Sequence, residues 1–327
     1  MSSERLLTKL NKCLESEDYY ESHQIYRTLY FRLLRDKRHL QLSQLLFEGA
    51  IRLLTLRQHN SGADLATLYI QLLIETNNKT LSGEVIVPCD QLLMNIRRLF
   101  ELIPAKTPER VTFISNAVKL DVIPSAAIRR QFAVVLWREK NFLESRQHFV
   151  HSSDSGVDCA LMLVEYQTTL GFPSEVDLFI GQFVLQVLCV RNKSMADQTF
   201  HAYTSRHPSI NSPNPPFLWP LLNFLSFLLL AIDGGKMQTF KLLMDLYGTT
   251  LRRDPSYNDY LSQIGHIYFG IEKASRGGGP QGFFGNLIQS LFDDSEDEQS
   301  GGTGSAGPSR PAVSSRSQQK AEEVELD

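Results

Sequence analysis

Metal ligation is the first chemistry that the residue types raise. His148 and His151 stand three apart and are followed by Asp154 and Cys159, all side chains that can hold zinc when four of them close around the ion. Their spacing matches no recognised ligand pattern, so no metal is expected. Cys13, Cys89, Cys159 and Cys189 are scattered with no CxxC pair. That arrangement suggests neither a zinc site nor a disulfide framework, and it favours a reducing compartment. Phosphate-cradling Gly loops, a nucleophile elbow and paired carboxylates are not found either. No catalytic residue and no cofactor are expected.

A second constellation suits binding better than bond making. Tyr20, His23, Arg27 and Phe31 recur at three- and four-residue spacing, which places them on one stripe of a helix. Tyr19, Ser22, Tyr26, Leu29 and Leu33 form a second stripe of the same helix. Aromatics at helical spacing usually build core, so the second stripe is expected to pack and the first to face a partner. Arg32, Arg35, Lys37 and Arg38 enlarge the positive charge around it. Taken alone, such cations read as a solvated face.

The helix that carries both stripes belongs to a repeat. Asp18 to Arg27 returns in degenerate form as Asn141 to Phe149, with Glu21, Ser22 and Gln24 answered by Glu144, Ser145 and Gln147, and Tyr26 by Phe149. The offset is about three of the roughly forty-residue helical hairpins of solenoid proteins. Such a unit cannot bury its apolar face alone, and stacking makes the core. We therefore expect an all-α, TPR-like α-solenoid of stacked helical hairpins. No βαβ alternation appears.

Along the chain, helices are expected to about Glu15, over Asp18 to Arg35, and along the Leu42 to Leu56 seam, where Gly49 would let a neighbouring backbone come close. Ser61-Gly62-Ala63-Asp64 looks like a capping box opening the next helix. Thr107-Pro108-Glu109 reads as an N-cap, a proline at the first helical position and a dipole-matched acid. Helices over 125–140, 142–151, 156–169, 173–190 and 194–205 follow. The proline-rich stretch near 207–220 should hold a short hairpin or a loop. Phe217 to Ile232 is the most membrane-like run, but its 16 residues contain Pro220 and fall short of a bilayer span. It reads as a buried helix, and no stable membrane insertion is expected. The first residues, Met1-Ser2-Ser3-Glu4-Arg5, lack the apolar core of a signal peptide.

Hydrophobic residues at 42% are ample for a core, and the net charge of −3 is bland. From Asp293 onward, however, nine acids face three bases. The expected organisation is an N-terminal half of the solenoid over 1–150 and a C-terminal half over 151–272. A Gly-rich linker and short amphipathic helix over 273–292 would follow, then an acidic, Gly/Ser-rich disordered tail over 293–327. Nucleic acid is not an expected partner.

Several separated motifs, in order, point to a family. These are Asp18-Tyr19-Tyr20-Glu21-x-His23-Gln24, Ser61-Gly62-Ala63-Asp64-Leu65, Pro108-Glu109-Arg110-Val111-Thr112-Phe113, Leu221-Leu222-Asn223-Phe224 running to Asp233-Gly234-Gly235-Lys236, Leu251-Arg252-Arg253-Asp254-Pro255 and Gly285-Asn286-Leu287. From about residue 5 to 292 the chain resembles the Golgi-to-ER traffic protein four family. The resemblance implies a non-enzymatic cytosolic adaptor in the delivery of tail-anchored membrane proteins. One half would dock on the dimeric targeting ATPase, the other on a ubiquitin-like adaptor or the BAG-domain scaffold Scythe. It also implies a contribution to quality control of mislocalised hydrophobic proteins.

By resemblance, His23, Arg27, Arg32 and Asp64 fall in or beside the ATPase contact. Tyr20 and Arg35 join them on the same helix by spacing. The Phe217-Leu218-Trp219-Pro220 region corresponds to the place that receives the C-terminal partner, with Phe217, Trp219 and Phe224 as its candidate anchors. One departure is Gln71, which aligns with a regulatory acid of fungal members. A different class of function, a structural helical-repeat subunit of a proteasome-lid-like or vesicle-coat-like assembly, would use the same stacked helices without regulating an ATPase.

Overall fold

The computed structural model describes residues 3–271; the expected 273–292 helix and the acidic tail lie outside them. Among the described residues there are fifteen α-helices and no strand beyond an isolated bridge. They are α1 (Ser3–Glu15), α2 (Tyr19–Arg35), α3 (His39–Thr55), α4 (His59–Glu75), α5 (Cys89–Leu102), α6 (Pro108–Ala117), α7 (Ser125–Arg138) and α8 (Phe142–Val150). The remainder are α9 (Gly156–Leu170), α10 (Val176–Cys189), α11 (Lys193–Arg206), α12 (Pro220–Gly234), α13 (Met237–Leu246), α14 (Gly248–Leu251) and α15 (Ser256–Phe269). The expected α-solenoid forms. Most consecutive helices pair, and several helices two apart also touch: α3 lies on α5, α5 on α7, and α4 on both α2 and α6. Two layers result, one of even-numbered and one of odd-numbered helices in the first half.

The joints between the first helices follow a rule that glycine and proline punctuation does not reveal. Glu17, Lys37, Arg57 and Asn77 all sit in left-handed backbone, with φ of 58°, 57°, 59° and 49°. They recur every twenty residues, half of one hairpin. After each, the next amide reaches back to close the preceding helix: Arg38 N to Leu33 O, Gln58 N to Leu53 O and Asn78 N to Leu73 O, each at 2.9 Å. This is the bond pattern that normally favours glycine. Here charged or amide side chains take the position, at a conformational cost of about 1–2 kcal/mol each. Lys140 and Arg191 do the same further along, with φ of 62° and 63°.

Two expectations about α3 and α4 are corrected. α4 begins at His59 with Gln58 as its N-cap, so Ser61 and Asp64 lie within the helix and build no capping box. The joint at Arg57 starts the helix earlier than the polar cluster suggested. Gly49 admits a side chain rather than a backbone, since a Cβ there would stand 2.6 Å from Cε1 of Tyr26. The close backbone approach is at Gly62, whose Cβ would meet the Leu54 amide nitrogen at 2.9 Å.

The proline-rich segment before α12 runs as a loop, with the Pro215–Pro216 peptide cis. The hairpin alternative forms elsewhere. Lys79 and Val85 make an antiparallel bridge between α4 and α5, and the buried Asn78 side chain fixes that turn by pairing with both the N–H and the C=O of Val87, at 2.9 and 2.6 Å. Helix α12 is buried through Leu221, Leu222, Phe224, Leu225 and Leu228, and Gly235 ends it at φ 59°. No helix among the described residues is long and apolar enough to cross a membrane.

The core falls into two clusters that meet on α7. Phe132, Val135 and Leu136 face the first, which runs from Leu6, while Ala133 faces the second, which runs to Ile271.

Candidate partner-binding surface

Helix α2 is set by both its ends and its stripes. The Asp18 carboxylate accepts the Glu21 amide at 3.1 Å and caps the helix, while Ser22 donates to the Asp18 carbonyl at 2.7 Å. Ser22, Tyr26, Leu29 and Leu33 are buried, and Tyr19 is half-buried. In the echo, Ser145 and Phe149 are buried too, but Ser145 donates across the joint to Ala133 O at 2.8 Å, tying α8 to α7. The repeat preserves placement while changing the bond.

The other stripe faces outward. Tyr20 is 77% exposed and Phe31 60%, so two aromatic rings stand in water on the same side of one helix. Between them His23 Nε2 lies 2.8 Å from Oδ2 of Asp64 on α4. Nη1 of Arg27 donates to both oxygens of the same carboxylate, at 3.2 Å each. One acid thus holds two cationic or potentially cationic groups one helical turn apart. The pairing fixes their direction while Arg27 stays 40% exposed, able to meet an acid on a partner.

Arg35 is exposed and pairs with neighbouring Asp36 at 3.1 Å, and Arg32 is half-buried further along the helix. Gln71 is half-buried on α4. The structure therefore gathers Tyr20, His23, Arg27 and Asp64 into one patch and strings Arg32 and Arg35 toward the α2 C-terminus. Phe31, a member of the stripe, belongs to the same surface.

The three anchors expected in the C-terminal half do not share a surface. Phe224 is fully buried against Tyr247, and Phe217 is 8% exposed, edge-on to Phe200. Both are core, because α12 is apolar on nearly every side and the loop before it folds inward. Asn223 locks that inward turn through two 2.8 Å bonds to the Phe217 backbone. Trp219 is half-buried. The leucines that do reach solvent nearby are Leu218 at 84% and Leu230 at 63%, beside Phe227 at 41%. Sequence reasoning missed them because leucines in a continuous apolar run carry no mark of which side is open.

Two further motifs turn out to be structural. Arg110, almost wholly buried, stacks 4.0 Å above the Phe100 ring and reaches Glu139 at 2.8 Å. Arg253 binds fully buried Asp177 at 2.6 Å and the Ser174 carbonyl at 3.2 Å. His148 packs edge-on against Phe132, and burial pulls its pKa down to about 4. Among the described residues, no group of three or more His, Cys, Asp or Glu is placed to hold a metal ion.

Stacked helical hairpins whose exposed chemistry is an aromatic and cationic stripe define a helical-repeat scaffold of the kind that acts by binding. The chain belongs to the Golgi to ER traffic protein 4 family, whose model matches residues 36–292. It is 45% identical over 303 residues to the Golgi to ER traffic protein 4 homolog of Homo sapiens, covering 90% of this chain and 88% of that one. With the homolog from Gallus gallus the identity is 39% over 303 residues, covering 90% and 88%. The crystal structure of C. therm. Get4 superposes with a TM-score of 0.72 over 92% of this chain and 99% of that one, at 21% identity. That last likeness establishes a shared fold.

Proposed function

We propose that this protein is a non-catalytic cytosolic adaptor in the delivery of tail-anchored membrane proteins to the ER. It bridges the targeting ATPase of that pathway to a ubiquitin-like adaptor and the BAG-domain scaffold Scythe, and contributes to quality control of mislocalised hydrophobic proteins. Family membership supports the traffic role. The observation that carries the ATPase assignment is the α2 stripe, where Asp64 presents His23 and Arg27 between two exposed aromatic rings.

Such a stripe supplies what state-selective docking needs. A ligand shifts a conformational equilibrium only by its difference in affinity for the two states. Charges presented in fixed directions pair in one ATPase conformation and lose their partners in the other. The C-terminal partners would meet the surface around Trp219, Leu218 and Leu230, with Phe217 and Phe224 supporting it from beneath.

The test is binding of the full chain to the targeting ATPase with and without Mg-ATP, at two salt concentrations, alongside Arg27→Glu. Nucleotide-dependent, salt-sensitive binding that the substitution removes is expected. Binding by neither form, from folded protein, overturns the assignment and leaves a structural subunit of another assembly.

A further inference from the structure

The odd-numbered layer carries a cleft of a different character from the α2 stripe. About 540 Å³ in volume, it lies where α3 and α5 come together beneath the 79–88 turn. No charged residue lines it. Its polar groups are carboxamides and hydroxyls: Gln41 and Gln44 from α3, Gln91 and Asn95 from α5, with Ser43 and Tyr69 below. Its apolar surface comes from Leu40, Phe47, Ile86, Val87 and Pro88.

These polar groups are organised rather than scattered. Gln91 Nε2 donates to Asn95 Oδ1 at 2.8 Å, and Asn95 Nδ2 donates to the Tyr69 hydroxyl at 2.9 Å. Asn95, Tyr69 and Ser43 are all buried. A satisfied polar chain therefore runs under the cleft from α5 to α4, holding Asn95 and, through it, Gln91 in place. Exposed Gln91 keeps its carboxamide oxygen for another donor. Gln41 and Gln44 are exposed on the facing helix, where Gln44 Nε2 donates to Glu48 Oε1 at 2.8 Å and its carboxamide oxygen is left for a further donor. The roof is fixed as well, through the paired bonds of Asn78 to Val87.

A carboxamide offers one acceptor and one donor group side by side, the same pair that a peptide bond presents. An extended chain exposes such groups along both edges and sends alternate side chains to opposite faces. Carboxamides from two helices over an apolar floor are complementary to that pattern. Polyanions such as nucleic acid are disfavoured, because no cation lines the cleft to meet phosphate.

From this juxtaposition we propose that the α3–α5 cleft binds an extended, uncharged stretch of a partner polypeptide, reading its backbone through Gln41, Gln44 and Gln91 and burying an apolar side chain against Phe47 and Ile86. The site stands on the opposite helical layer from Arg27 and Asp64, so both surfaces can be occupied together. Backbone reading makes this site tolerant of sequence, and the lack of charge makes it indifferent to salt.

The test uses the full chain and a displayed library of uncharged dodecapeptides, with a matched library carrying lysine and glutamate. The tightest neutral peptide is then synthesised in plain form and with alternate backbone nitrogens methylated. Expected are saturable binding of the plain peptide, little change between 50 and 500 mM salt, and at least a tenfold loss on methylation. The same loss is expected in the exposed double variant Gln41→Ala/Gln91→Ala, while nucleotide-dependent docking through α2 is retained. The proposal is overturned if no neutral peptide binds, if charged peptides bind better, or if methylated peptide or the double variant binds as well as the originals.

Discussion

Asp64 of α4 receives Arg27 of α2 through both carboxylate oxygens, at 3.2 Å each. The contact spans two helices that otherwise touch little, and it leaves the guanidinium accessible. It serves orientation more than stability.

A double-mutant cycle on Arg27→Ala and Asp64→Ala separates those roles. Part-exposed ion pairs are worth about 0.2–1 kcal/mol, so the coupling in urea unfolding should fall within that range. Docking on the ATPase should weaken at least several-fold in Asp64→Ala, because His23 and Arg27 lose the group that aims them. A coupling well above the range would make the pair a structural clamp instead.

Arg253 and Asp177 form the opposite kind of pair. Asp177 is fully buried; Arg253 holds its Oδ2, and its Oδ1 has no hydrogen-bond partner. Truncating Arg253 to alanine strands that charge, and the expected cost is about 3 kcal/mol, near the low end for breaking a buried pair because Arg253 is itself partly exposed. Replacing Asp177 with asparagine alongside should recover part of the loss. Urea midpoints of the three proteins decide the point.

Acid should destabilise the fold through histidines whose pKa the folded state holds down. Burial first, then Arg129 and His151, pulls the His148 pKa from 6.5 down to about 4, and burial lowers His151 and His207 as well. Below pH 6.5 the unfolded chain binds protons that the folded chain refuses, so stability is full above that pH and falls as pH drops toward 4. At about 1.4 kcal/mol per pH unit, His148 alone accounts for up to roughly 3 kcal/mol. Unfolding of the parent and of His148→Gln across pH 7 to 4 should show a shallower decline in the variant.

The close approaches and the joints respond oppositely to small changes. Gly62→Ala pushes a methyl into the Leu54 backbone and should cost about 1–3 kcal/mol, the usual penalty of overpacking. Lys37→Gly relieves a left-handed lysine and should raise stability by up to about 1 kcal/mol. Thermal or urea unfolding of each single variant measures both signs.

The outward stripe of α2 was readable because three- and four-residue spacing sorts a helix into faces whatever surrounds it. Asp64 was readable only as a nearby acid, and local chemistry suggested a cap. Its real partners stand 41 and 37 residues back in the chain, a distance that no local pattern reports. Phe217 and Phe224 failed as surface anchors for the reverse reason. An aromatic beside proline looks the same in sequence whether its loop turns inward or outward, and here Asn223 turns it inward.

By itself, the order of residues determined the helices, their stacking as hairpins and the two faces of α2, since these depend on spacing and short-range backbone chemistry. Only the tertiary structure decided where the joints turn without glycine and which buried arginine pairs with which acid. It likewise decided that amides from α3 and α5 face one another across a cleft. The last two need groups distant in sequence to meet, and that meeting is set by how neighbouring hairpins pack; the joints close through bonds five residues apart, but at residue types that do not announce left-handed backbone.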